Sequence, residues 1–514
     1  MLQHERTGFI HAFVYSVSFV ALVGCAQLPE STSAVESSAF ADYRSTTLGA
    51  SFAEGEDAHP GESAFALIKN GDQALAARLA LIDSAEQAVD VQVYIWEPDE
   101  TGLLMAERLV RAANRGVRVR VLVDDLGFGG DDAGIAAFDA HPNIEARLFN
   151  PFANRGFSMA DFLFDLNRVN HRMHNKMLIA DNSIAVVGGR NIGNHYFDSD
   201  PSSNFRDLDI GAIGPVVREA SQVFDHFWNG DDAIPVVDIV EQAADINDAT
   251  TMIANVREQL AQAETTGIAE DNVIALSKVI HEDWQRWPWA RGRIVWNRPD
   301  TVAESGATGE ILIALRQRLD SVQHTLNTES AYFVVRDGGV ERLGSLTARG
   351  VKVRVLTNSL LSNDVLAAHA GHAKYREKLL AAGVEVYELR ADSNVIKSKL
   401  GGESRAGLHT KAITFDNEAS FVGSFNLDPR SANINTEAGI YVESETIAAD
   451  LNAYMVEGAS LKNSYRLSLD EDGDLLWTTE IDGETVTYDE DPLSTFGQRF
   501  TTGFIKLLPI DSQL

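Results

Sequence analysis

Two stretches of this chain carry the same polar residues in the same order. "HNKMLIADNSIAVVGGRN" begins at His174 and "HTKAITFDNEASFVGSFN" at His409. In each, a Lys follows the His by two residues (Lys176, Lys411) and an Asp comes five further on (Asp181, Asp416). A return segment rich in small residues then reaches an Asn (Asn191, Asn426). On a strand, side chains two apart share a face, so each His projects together with its Lys. The turns at Asp181–Asn182 and Asp416–Asn417 bring each Asn back beside that pair. Two facing halves would gather two imidazoles, two ammonium groups and two amides. Two imidazoles serve a double displacement: one attacks, while the other protonates the leaving group and later activates the acceptor. The lysines and amides would hold a tetrahedral anion and the charge growing on its oxygens. Such a site requires no metal, no Asp, Glu and His cluster at metal spacing lies near the motifs, and no cofactor is expected.

The flanking elements repeat as well. A helix is predicted over 74–88 and a strand over 89–98, stopped by Pro98. A helix through "LLMAERLVRAANRG" follows, closed by Gly116, and then the strand "VRVRVLVDD". The second half reads as a strand over 329–337, a helix "GGVERLGSLTARG" ending at Gly350, and a strand "VKVRVLTNS". A short strand precedes each motif, starting at Asn143 and at Gly383. The order and spacing predict an α/β protein of two similar domains, 64–237 and 294–464. Residues 238–293 are expected to form a mostly helical acidic connector. It ends in "HEDWQRWPWARGRIVW", where Trp284, Trp287, Trp289 and Trp296 crowd among arginines. That cluster belongs at a domain interface or, on the alternative reading, at a lipid headgroup layer. Residues 465–514 form a C-terminal extension. In it Phe496, Phe500, Phe504 and Leu507/Leu508 at helical spacing, with Arg499 and Lys506, predict an amphipathic helix on a membrane or on the second domain.

The chain has 514 residues, with 43 basic and 75 acidic side chains for a net charge of −32. Such a surface repels phosphate backbones, so nucleic acid is not expected as a partner. It also suits salty water, where screening relieves self-repulsion. The one cysteine, Cys25, closes a mostly apolar run over 8–24 that ends "LVGC". The run resembles a lipoprotein-type signal peptide (residues 1–25) with Cys25 as the lipidated residue; the other reading is a signal-anchor helix. Either ties the protein to a membrane. The Ala after Cys25 permits sorting to an outer membrane. Residues 26–63, rich in Ser, Ala, Glu and Thr, are read as a flexible tether, with folded structure starting near Ala64.

The paired motifs resemble the HxKxxxxD signatures of the phospholipase D superfamily. This resemblance implies two α/β domains related by a pseudo-two-fold axis, an active site at their interface and a phosphohistidine intermediate. By position, one of His174 and His409 is the nucleophile, His174 being preferred, and the other is the acid/base. Lys176, Lys411, Asn191 and Asn426 would bind the phosphoryl oxygens. A carboxylate beyond the Gly-Ser turn would orient each His, which points to Asp207 and Glu437, with Asp209 a rival to Asp207. Asp181 and Asp416 complete the catalytic motif but are expected to fix the fold. The wording of "HNKMLIADNSIAVVGGRNIGNHYF", "FRDLDIGAIGPVV" and "GSFNLDPRSANINTEAGI" is similar to bacterial cardiolipin synthases, most like the type C subgroup. That implies transfer of a phosphatidyl group to phosphatidylglycerol, with phosphatidylethanolamine as suggested donor. It also implies a membrane surface in the cell envelope, facing the periplasm, and leaves room for an accessory protein. The commoner synthase types carry two N-terminal spans, which a single signal-like run replaces here. A phosphohistidine is resolved by whichever hydroxyl reaches it, so a hydrolytic phospholipase D is the alternative reading. A nucleic-acid phosphodiesterase ranks third and a non-catalytic membrane scaffold fourth.

Overall fold

A computed structural model describes residues 31–129, 131–240, 244–261, 284–299, 308–393, 405–506 and 508. Cys25, the run over 8–24, Leu507 and residues 262–283 of the connector lie outside the described residues.

The first half is a mixed sheet grown from Val-rich runs. Its strands are β1 (Ser63–Ile68), β2 (Ala88–Val93), β3 (Arg118–Asp124), β4 (Ile144–Phe149), β5 (Met177–Ala180), β6 (Ile184–Gly188), β8 (Asp209–Ile213) and β9 (Ala233–Pro235). A separate strand, β7 (Ser203–Arg206), precedes β8. Pairing runs β1-β8-β6-β5-β2-β3-β4-β9, with β2, β3 and β4 parallel. The arginines that alternate with valines along β3 do not mark a solvent face. Arg120 is buried and pairs with Asp90 of β2 at 2.7 Å. The second half repeats the order with β10 (Trp289–Trp296), β11 (Thr325–Ser330), β12 (Lys352–Asn358), β13 (Glu385–Leu389), β15 (Lys411–Phe415), β16 (Ala419–Gly423) and β17 (Ala438–Glu443). Here β14 (Arg405–Leu408) is the separate strand. The sequence β10-β17-β16-β15-β11-β12-β13 is then extended by β18 (Ser464–Leu469), β19 (Leu475–Ile481) and β20 (Glu484–Tyr488). The first strands, β1 and β10, pair antiparallel and fuse the two sheets.

The helices are α1 (Thr47–Ala58), α2 (Gly71–Ser84), α3 (Glu100–Asn114), α4 (Asp132–Asp139), α5 (Met159–Phe164), α6 (Pro215–Trp228) and α7 (Ile246–Leu260) in the first half. In the second they are α8 (Glu310–Ser321), α9 (Arg336–Ala348), α10 (Leu366–Ala373), α11 (Pro429–Asn433), α12 (Glu445–Gly458) and α13 (Phe496–Lys506). Asp99 caps α3 by accepting from the Gly102 N–H, and Gly116 at φ 96° supplies the left-handed residue that ends it. Gly350, at φ 87°, does the same after α9. One core cluster joins the halves: Val217 and Phe224 of α6 and Leu451 and Met455 of α12 meet side chains from both sheets.

Several expectations change. The segment read as a tether through residue 63 is ordered against the first half from Thr32 onward. Asp238 accepts from Thr32, Arg120 and Arg118 donate to the Ser37 and Ser38 carbonyls, and α1 buries Leu48 and Phe52. Composition alone pointed to a linker because the groups it satisfies are charges far along the chain. The strand expected over 329–337 is β11, Thr325–Ser330, and β2 ends at Val93 rather than Pro98. The helix expected over 74–88 spans Gly71–Ser84. The connector is helical over α7, which lies on α3 and α4, but its end is already β10 from Trp289. In the Trp cluster Trp284 is buried, while Trp287, Trp289 and Trp296 are half-buried. Trp284 meets Phe52 (5.4 Å between ring centroids) and Trp289 (6.4 Å), His59 stacks on Trp289 at 4.7 Å, and Trp296 lies 5.9 Å from Phe227. Aromatic edges and faces meet at the junction of α1, α6 and β10.

Candidate active site

The motif Asp residues explain why the hairpins hold their shape. Asp181 and Asn182 take φ of 51° and 52°, and Asp416 and Asn417 of 54° and 58°, a left-handed region in which Asp and Asn are favoured. The Asp181 carboxylate accepts from the backbone N–H of Glu86, Gln87 and Ala88 at 2.8–2.9 Å. Asp416 accepts in the same way from Gln323, His324 and Thr325 at 2.7–2.9 Å. Both lock a hairpin to the start of the neighbouring strand and lie at the strand ends remote from the histidines.

His174 stands just before β5, and its N–H donates to the Thr436 carbonyl at 2.9 Å. Met173 and Thr436 form a parallel bridge across the halves. The next residue, Glu437, thereby meets the imidazole, with Oε2 2.8 Å from Nδ1. The mirror arrangement surrounds His409. Strands β7 and β14 pair in parallel across the halves, and the His409 N–H donates to the Arg206 carbonyl at 2.8 Å. Asp207 Oδ2 then lies 2.5 Å from His409 Nδ1. Each imidazole takes its carboxylate from the other half. Asp209, the rival to Asp207, is engaged by Arg78 at 2.9 Å and Arg190 at 3.1 Å and orients neither His.

A carboxylate that stays ionised only accepts, so the ring proton faces it at Nδ1 and Nε2 keeps its lone pair. Burial pushes His174 down to about 4, and Lys176 and Lys411 add to the fall against the opposing pull of Glu437. His409 is lowered for the same reasons, burial first and Lys411 next, against Asp207. For Glu437, burial works upward but is outweighed by His174, Lys176 and Ser424, and the carboxyl ends below its usual range. Asp207 is likewise held down by His409, Lys411 and Arg190. Each site group senses charge from the opposite half, as expected of one shared site.

Lys176 Nζ donates to the His174 carbonyl and Lys411 Nζ to the His409 carbonyl, each at 2.5 Å. That leaves each ammonium with further donors for an anion. Burial lowers both lysines from their ordinary value. Asn191 and Asn426 are buried. Asn191 Oδ1 accepts from the Ile95 N–H at 3.1 Å, while Asn426 Oδ1 has no partner among the described residues.

The halves differ behind the carboxylates. Ser424 and Ser431 both donate to Glu437, the latter at 2.7 Å. The counterpart of Ser424 is Gly189, where an added Cβ would stand 2.2 Å from Asp207 Oδ1. The shorter acid occupies the room that a serine would need. Several neighbours escaped the motif reading. Tyr94 lies edge-on to His174 at 5.1 Å with Lys176 Nζ 5.2 Å from its ring centroid, and Tyr196 and Phe205 flank His409 at 5.2 and 5.3 Å. In the strand registers the counterpart of Tyr94 is Ala331, so the repeat carried no signal for it.

A family profile described as "Cardiolipin synthase, PLD-like domain" matches residues 79–228 and 315–457, one motif in each segment. Cardiolipin synthase C of Escherichia coli (strain K12) is 36% identical over 471 residues, covering 88% of this chain and 96% of that protein. Cardiolipin synthase A of Shigella boydii serotype 4 is 26% identical over 395 residues, 75% of this chain and 67% of that protein. Among solved structures, the phosphatidylserine synthase of Haemophilus influenzae Rd KW20 covers 90% of this chain and 100% of its own. The TM-score is 0.54 at 13% identity, a likeness of fold.

Proposed function

We propose, because the chain belongs to the cardiolipin synthase family with its phospholipase D-like domains, that it transfers a phosphatidyl group to phosphatidylglycerol and so forms cardiolipin. The observation that carries this reading is the pair of buried imidazoles, each backed by a carboxylate from the opposite half and flanked by a lysine. In the first step Nε2 of one His, here assigned to His174, attacks the phosphorus of a donor phospholipid. The bond to the headgroup oxygen breaks, and that alcohol leaves with the Nε2 proton of His409, which enters the step as the imidazolium favoured by Asp207 and the bound anionic phosphodiester. In the second step His409 takes the proton of a phosphatidylglycerol hydroxyl, whose oxygen displaces His174 from phosphorus. Cardiolipin departs and both imidazoles return to their starting state. Lys176, Lys411, Asn191 and Asn426 hold the phosphoryl oxygens as charge builds on them. Glu437 and Asp207 steady the imidazolium forms. Phosphatidylethanolamine is the proposed donor, with a second phosphatidylglycerol as the other.

The proposed setting is a membrane surface of the cell envelope, with attachment through a lipidated Cys25 and the folded part on the periplasmic side; an accessory protein is compatible with this placement. Support comes from exposed apolar side chains on two short helices: Leu163 and Phe164 of α5, and Phe496, Phe500 and Phe504 of α13. No helix among the described residues is long and apolar enough to cross a membrane.

The test is a lipid product analysis. Purified protein meets phosphatidylglycerol vesicles with and without phosphatidylethanolamine, beside His174→Ala and His409→Ala. Cardiolipin that requires both histidines is expected, and its dependence on phosphatidylethanolamine identifies the donor. Phosphatidic acid without cardiolipin would make the protein a hydrolase instead.

A further inference from the structure

In the first half α2 and α3 lie against each other over the sheet, and α3 buries a broad face. Their counterparts α8 and α9 are parted by a cavity of about 640 Å³. That volume falls among those of small-molecule sites. The cause is legible in α9, "RDGGVERLGSLTA", which lines the cavity with Gly338 and Gly339 and buries only Leu343 and Leu346. Glycines cannot fill the space that the long side chains of α3 fill. The walls are apolar, with Leu312, Leu315 and Leu319 from α8, Leu343 from α9, and Val353 and Ile413 from the sheet.

Both ends of the cavity carry further information. At the inner end Phe425 and Leu427, which flank Asn426, line it together with Asp428. This end adjoins the active site through Asn426, and the Asp428 charge is felt by Lys411. At the mouth stand Arg316, Arg336 and Arg342. Arg342 is paired with Asp320 at 2.5 Å, and the nearby Asp337 is taken by Lys378 at 2.6 Å. Arg316 and Arg336 are exposed and have no carboxylate partner among the described residues. Arg336 also holds φ of 57°, uncommon for a residue other than glycine, where it opens α9. In a chain of net charge −32, two uncompensated guanidinium groups over an apolar hollow complement a ligand with an anionic head and an apolar tail.

We propose that this cavity is a second lipid site, which takes an acyl chain of an anionic phospholipid and holds its phosphate at Arg316 and Arg336. It is separate from the histidine pair, and the choice of a phospholipid as occupant rests on the function proposed above. The probe is phosphatidylglycerol with a photoreactive diazirine at the end of one acyl chain, mixed into vesicles of phosphatidylglycerol and phosphatidylethanolamine with the full chain. Labelled peptides are mapped after irradiation, and cardiolipin is assayed in the same vesicles. Label is expected on residues 312–343. It should fall about tenfold in Arg316→Glu/Arg336→Glu, which alters only the surface, and in Leu343→Trp, which fills the hollow. Cavity label without cardiolipin would uphold the lipid site and sink the transferase reading. Cardiolipin with label confined to peptides around His174 and His409, or indifferent to both variants, would overturn the second site and leave the transferase standing. Neither label nor product would overturn both.

Discussion

At residue scale the decisive quantity is the protonation of two buried imidazoles. Burial holds His174 near 4, so its Nε2 is free to attack at neutral pH; burial lowers His409 as well, and the anionic substrate favours its protonated form in the complex. The acid limb of kcat/KM is therefore expected well below pH 6.5, approaching 4, in a pH–rate profile on soluble short-chain phosphatidylglycerol and phosphatidylethanolamine. A limb centred at 6.5 or above would mean that the resting imidazoles are not desolvated. The same shift has a stability consequence. Since the folded His174 has the lower pKa, the unfolded chain binds more protons between about 6.5 and 4, and stability is lost as pH falls through that window. His174→Gln removes this penalty. Denaturant titrations should show the variant gaining on the wild type by about 2 kcal/mol between pH 7 and pH 4.5. The orienting carboxylates are testable too. Glu437→Gln keeps the shape but loses the charge that steadies the imidazolium, and kcat should fall about 10³- to 10⁴-fold. Retention of near wild-type kcat would leave Glu437 a merely structural acid. The repeated His, Lys and Asn were legible because duplication marked them. Tyr94 was not, since its counterpart is Ala331 and only proximity in space gives it a place beside His174.

At the scale of elements the hairpins show how a motif residue serves chemistry without touching it. Asp181 ties three backbone N–H groups of the β2 entry to the β5–β6 turn. Asp181→Ala strips those buried donors of their acceptor and should cost about 3 kcal/mol or more in chemical denaturation. The kcat of the fraction that stays folded should change far less than in Glu437→Gln. A collapse of kcat with stability intact would instead place Asp181 in the chemistry. Strand and helix order could be read from Val-rich runs and from Gly116 and Gly350, because periodicity and caps are local. Boundaries were less legible where long-range partners set them. Residues 32–58 looked like a linker until Arg118, Arg120 and Asp238, all far along the chain, proved to hold them.

At the scale of the whole molecule the two halves share one site rather than owning one each. The parallel pairing of β7 with β14 and the bridge from Met173 to Thr436 exchange carboxylates between domains. Hence His174→Ala and His409→Ala should each reduce cardiolipin formation by about 10³-fold or more rather than by half. Mixing the two variants should not restore it. Half-activity in either single variant would indicate two independent sites. The sequence by itself determined that the chain is a duplicated α/β protein with a paired His-Lys constellation, because both facts are written as recurring residues at fixed spacing. It also selected Asp207 and Glu437 through aligned positions. Only the tertiary structure decided which carboxylate serves which histidine, that Asp209 belongs to Arg78 and Arg190, and that Trp284 is buried against Phe52. Only there, too, do α8 and α9 part over a cavity. Those outcomes depend on distances between residues hundreds of positions apart, and no local pattern in a sequence encodes a distance.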